Sequence, residues 1–124
     1  VPSLLLPDSS AWIKFRSGGD ARIASMLEAG LVRSHPSVIG ELWLGCGAAP
    51  REVARFVADL PPAELPSDEA ARALADRHGL VCARVGWVDA QVLLACLASK
   101  EPMFTLTFDV AMRSIARRLG VSLD

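Results

Sequence analysis

A chain of 124 residues has the length of one domain. With 52% hydrophobic residues it holds material for a core, and a net charge of −1 excludes a module held on nucleic acid by bulk positive charge. There is no Tyr and the aromatic content is only 6%, which counts against an extended base-stacking platform of the single-strand-binding type.

The first element expected is a short buried strand at "SLLLPD", residues 3–8, a continuous apolar run that ends in an acid. "SSAWIKF" reads as a short helix with Ala11, Trp12 and Phe15 on one side, broken by Gly18 and Gly19. "DARIASMLEAG", 20–30, is a helix capped by Asp20 and stopped by Gly30. "LVRS" is a strand candidate, and a further helix begins near Ser37, just after Pro36. "PREVARFVADL", 50–60, places Val53, Phe56, Val57 and Leu60 on one helix face. "PPAELP" is a rigid connector, and "SDEAARALADRHG" has a Ser cap, two early acids and a closing Gly, the marks of a helix. "WVDAQVLLACLAS", 87–99, is an apolar helix buried on most sides, "MFTLT" a strand, and "DVAMRSIARRLG" the last helix, with "VSL" closing as an edge strand. Strands alternating with helices predict an α/β domain over residues 1–124, with a parallel central sheet of four to five strands flanked by helices.

Cys46, Cys82 and Cys96 are an odd set without CxxC spacing and make no zinc signature with His35 and His78. Each stands among apolar residues and reads as a small core residue. No apolar run approaches the ~18 residues of a membrane span, and "VPSLLLPD" lacks the length and basic residues of a signal peptide. A soluble, cytoplasmic protein with no membrane partner is the expectation.

Acids carry the functional signal. Asp8 ends the first strand, Asp109 follows the strand "MFTLT", Asp89 lies near the start of an apolar helix in "GWVDAQVLL", and Glu41 sits inside the apolar stretch "HPSVIGELWLG". Ligand sites of open parallel sheets lie at the carboxyl ends of the strands, and helices beginning there can bring their first-turn acids to the same crevice. Taken singly, Asp8 and Asp109 are also ordinary N-caps, and Asp89 a first-turn acid favoured by the helix dipole. Glu41, beside Trp43, has no local structural task and is expected to be buried; an outward position on the polar side of its helix is the alternative. Carboxylates that share a site repel one another and call for a cation. Oxygen ligands without His or Cys select a hard ion, Mg²⁺ with Mn²⁺ as a substitute. Such a site suits metal-assisted chemistry on a phosphate ester.

"LLLPDSSAWI", "HPSVIGELWLG", "GWVDAQVLLACL" and "TLTFDVAM" stand in an order that resembles the PIN-domain ribonucleases, and within them the VapC toxins of bacterial toxin–antitoxin pairs. The resemblance spans nearly the whole chain. It implies a PIN-like fold and a Mg²⁺-dependent endoribonuclease that cuts structured RNA, transfer or ribosomal, by metal-activated water. It also implies a homodimer and a cognate VapB-type antitoxin that covers the groove. Asp8, Glu41, Asp89 and Asp109 fall on the family's acidic quartet, Thr107 on a small hydroxyl position two before the last acid, and Ser10 on the Ser two after the first. Departures are Pro7 before the first acid, Phe108 where a basic residue is common, Trp43 where a small one is, and "VCARVG" before the third acid. Arg84, Lys14, Arg16 and Arg113, near the acid motifs in sequence, are candidates for substrate phosphates. Two rivals come from other classes: a Mg²⁺-binding phospho-acceptor signalling domain, which leaves Glu41 unexplained, and a catalytically inactive PIN scaffold.

Overall fold

Leu4, Leu5 and Leu6 have almost no contact with solvent, and a computed structural model, which describes residues 2–124, makes them the centre of the fold. Strand β1 (Leu4–Pro7) pairs in parallel with β2 (Met103–Leu106), from Leu4 opposite Met103 to Pro7 opposite Leu106. Helices fill the rest: α1 (Ser9–Gly18), α2 (Ala21–Glu28), α3 (Pro36–Trp43), α4 (Ala48–Ala58), α5 (Asp68–Arg77), α6 (Trp87–Ala98) and α7 (Val110–Arg118).

The expected central sheet of four to five strands is not what forms: among the described residues the sheet has two strands, and the chain is helix-rich around it. The segments expected as further strands make single parallel bridges instead, Val32 to Leu5 and Ser122 to Thr105, with another between Ser34 and Pro62. The reason is local. Leu5 donates to the Leu31 carbonyl and accepts from the Arg33 N–H, but Ser34 already turns to Pro61 and His35 caps the next helix. Pro61 and Pro62 bring no N–H with which to extend that pairing. On the other side Thr105 alone pairs with the closing segment, donating to Val121 and accepting from Leu123.

Local chemistry sets the helix ends. Asp8, Asp20, Ser67 and Asp109 each accept a backbone N–H as side-chain caps, His35 does so through its ring, and Pro36 opens α3. The α1 helix stops at Gly19, whose φ of 71° is a conformation most side chains resist. Six residues of α6 are buried, from Ala90 to Cys96, as its apolar sequence requires. The main core joins the β1 leucines to Trp12, Ile23, Val38, Val57 and Leu93. A smaller cluster of Ala71, Leu80, Ala90 and Leu94 lies between α5 and α6.

Cys96 is buried, and burial pushes its thiol up to about 12, so it is an inert core residue. Cys46 and Cys82, by contrast, are exposed rather than in the core. Cys46 lies in the turn after α3, and Cys82 sits in a loop with a left-handed φ of 61°. Among the described residues no helix is long and apolar enough to cross a membrane.

Candidate functional site

Both strands run toward the same end of the molecule, and each is followed within three residues by an acid that caps a helix. Asp8 is 4% exposed. Its Oδ1 accepts from the Ser10 hydroxyl at 2.7 Å and from the Ala11 N–H at 2.9 Å. Its Oδ2 accepts from the buried Thr107 hydroxyl, which reaches across from the end of β2. Each hydroxyl spends its single proton on Asp8 and keeps its lone pairs for backbone donors. Phe108 N–H donates to Ser10 Oγ at 2.8 Å, and Asp109 N–H donates to Thr107 Oγ1 at 3.1 Å. The two hydroxyls, 3.3 Å apart, are therefore two acceptors held in place rather than a further hydrogen bond. Asp109 caps α7 through the Met112 N–H at 2.9 Å, and its side chain is otherwise exposed.

The other two acids come from helices. Asp89 lies in the first turn of α6, whose Gly86 cap offers no side chain to the helix end. Partial burial raises the Asp89 carboxyl above its ordinary range, and the neighbouring charges of Asp8 and Asp109 raise it further. Glu41 is not buried, contrary to expectation: it is an exposed residue on α3. Its carboxylate nonetheless accepts from the Ser9 hydroxyl at 3.2 Å. Partial desolvation raises it, the Ser9 hydrogen bond opposes that, and Asp89 and Asp8 add to the rise. Ser9 went unnoticed in the sequence, where its only signal is its place beside Ser10 in "DSS".

Asp8, Glu41 and Asp89 thus bear on one another's charge and Asp109 bears on Asp89, and among the described residues no basic side chain forms an ion pair with any of the four. They are not a closed cage: among the described residues no three His, Cys, Asp or Glu side chains converge closely enough to hold a metal ion. The chemistry of the donor set, all oxygen and partly desolvated, still fits a hard divalent cation.

The basic candidates divide. Arg113 stays at the site, donating to the Thr107 carbonyl at 3.3 Å, with Asp124 at 4.0 Å and the Phe108 ring centroid at 5.9 Å. Arg16 is drawn to Glu52 of α4 at 3.6 Å. Lys14 and Arg84 are exposed, and Arg84 has a left-handed φ of 59°. A groove of about 360 Å³ opens beside Glu41, walled by Ser9, Ser10, Ile13, Leu42, Gly45 and Pro50.

No protein-family model matches the chain, and no curated protein does. Among solved structures, the chain is similar to the crystal structure of PAE2754 from Pyrobaculum aerophilum, with a TM-score of 0.61 at 16% identity, over 95% of this chain and 90% of that one. At that identity the likeness concerns the fold alone.

Proposed function

We propose that this chain is a divalent-metal-dependent endoribonuclease that hydrolyses phosphodiester bonds of structured RNA, in the manner of the VapC toxins whose motifs its sequence resembles. The observation that carries the reading is the Asp8 carboxylate, fixed by Ser10 and Thr107 and within electrostatic reach of Glu41 and Asp89, with Asp109 in reach of Asp89, and among the described residues none of the four has a basic ion-pair partner. Charges left unneutralised in one place cost stability, and functional sites are where such costs are retained.

Asp8 and Asp89 would hold Mg²⁺ or Mn²⁺, with Glu41 and Asp109 completing the set. When bound, the metal supplies activation of a water and neutralisation of charge developing at phosphorus. The chain's own groups do the positioning. Ser10 and Thr107 leave Asp8 no rotational freedom, and Ser9 steers Glu41. Arg113, held on the Thr107 carbonyl, keeps one cation beside the acids. A cognate VapB-type antitoxin and a homodimer belong to the same proposal. The competing reading is a scaffold that binds RNA without cutting it.

The test is RNA cleavage by the purified chain, free of antitoxin, with Mg²⁺ or with chelator, beside Asp89→Asn. Cleavage that needs Mg²⁺ and falls by about a hundredfold or more in the variant is expected, the scale of losing electrostatic stabilisation at a reacting centre. If neither protein cuts RNA and neither binds Mg²⁺ in a calorimetric titration, the enzyme reading is wrong and the scaffold stands.

A further inference from the structure

The groove beside Glu41 leads away from the acids to Gly45 and Pro50, at the junction of α3 and α4. The chain crosses itself tightly there: a Cβ on Gly45 would lie 2.8 Å from the Cβ of Pro50. Just past Pro50, Arg51 and Arg55 stand four residues apart on α4, and so on one face. Both guanidinium groups lie against Trp43 at the end of α3, Arg51 at 4.5 Å and Arg55 at 5.6 Å from the ring centroid. Arg51 also donates to the Trp43 carbonyl at 3.4 Å. Among the described residues neither arginine forms an ion pair with a carboxylate. Trp43 itself is 40% exposed.

One guanidinium on the indole would suffice to pack α4 on α3. The second adds like-charge repulsion, which an incoming anion would relieve. Two free cations around an exposed aromatic face are what a single-stranded nucleic acid requires, with phosphates on the guanidinium groups and a base on the ring or on a guanidinium plane. The chain's net charge of −1 gives no general attraction to RNA, so any attraction has to be local. Too few aromatics are present for an extended stacking platform, but a single indole flanked by arginines is a different device. The acids repel phosphates, and this arginine pair attracts them.

We propose that Trp43, Arg51 and Arg55, the first two of which adjoin in sequence the groove residues Leu42 and Pro50, bind a single-stranded segment of the RNA substrate beyond the acids. The proposal rests on the ribonuclease reading and deepens it: it names the strandedness of the substrate next to the cut and the face over which it leaves.

The test measures binding, not cleavage. The intact chain is titrated, in chelator, against a short fluorescein-labelled single-stranded RNA of mixed sequence, by anisotropy over a range of salt. Arg51→Ala with Arg55→Ala is expected to weaken binding about tenfold and to flatten the plot of log affinity against log salt by about 1.4, since each single-strand phosphate contact contributes about 0.7. The Lys pair at the same positions retains the slope. Trp43→Ala is expected to cost about fivefold with the slope unchanged, the lower end of a lost base stack, and Trp43→Phe to recover most of it. An unchanged affinity and slope in the Ala pair overturns the proposal and leaves the patch to a protein partner. Equal binding of duplex RNA through these residues overturns the single-strand assignment. A chain that cuts RNA yet binds it with an unchanged slope loses this surface and keeps its activity. A chain that binds through these residues and never cuts keeps the surface and loses the enzyme.

Discussion

Thr107 is 2% exposed, and its hydroxyl has one proton, which goes to Asp8, while its oxygen receives the Asp109 N–H. One buried side chain thus ties two of the four acids to the end of β2. Thr107→Val preserves the shape of the residue and removes both ties. It leaves an Asp8 oxygen and a backbone N–H with less to bond, a cost of about 1–3 kcal/mol for an unsatisfied buried group. Thr107→Ser retains the hydroxyl and is expected to lose much less. Urea unfolding of the two variants checks this, and equal midpoints would show that the hydroxyl holds nothing in place. At this scale much was legible. The strand ends mark Asp8 and Asp109, the resemblance adds Ser10 and Thr107, and these residues do meet. Glu41 was misjudged because its apolar neighbours suggest burial, whereas α3 turns Val38 and Leu42 inward and Glu41 out.

Helix α3 begins on an unusual cap. The Nδ1 of buried His35 accepts the Ser37 N–H at 3.0 Å and lies 2.8 Å from the Ser37 hydroxyl, so it must be unprotonated to do its work. Burial lowers the His35 pKa from the ordinary 6.5. A lowered folded value means that the unfolded chain binds the proton more readily. The stabilisation is therefore complete above pH 6.5 and is lost as pH falls from there through the folded value. His35→Asn, which preserves a good capping side chain, is expected to abolish this part of the acid sensitivity. Thermal melts of both proteins between neutral and mildly acidic pH test it; curves that stay parallel would count against the cap. Element ends were readable in the sequence wherever a capping residue or a glycine stood, as at Asp20, Ser67 and Gly19. Strands were not. "LVRS" and "VSL" have strand-like composition, but their extent depends on partners distant in sequence, and those partners run out after one residue.

The four acids come from the ends of both strands and from two helices far apart in the chain, so their repulsion bears on the whole fold rather than on one element. Glu41 and Asp89 both have raised folded pKa values. For such groups the stabilising contribution is present below the unfolded pKa and is lost as pH rises through the folded one. Without metal, Asp89→Asn is thus expected to melt above the wild type, with the gap opening as pH climbs out of the carboxylate range. Added Mg²⁺ should raise the melting temperature of the wild type and close that gap, because a ligand that binds only the folded state stabilises it. Differential scanning calorimetry with and without Mg²⁺ reads both effects. A variant less stable than the wild type at neutral pH would mean that Asp89 serves the fold rather than a function.

The bond from Thr107 to Asp8 spans 99 positions of the chain. Contacts of such long sequence separation form late and slowly. During synthesis at roughly 5–20 residues per second, Asp8 waits roughly 5–20 s before Thr107 has been made. For that interval β1 has no partner strand, and the acids leave the ribosome one at a time without the hydroxyl that orients the first of them. If the chain cuts RNA, the ribosome that makes it handles a harmless polymer until Thr107 has been added and can reach back to Asp8.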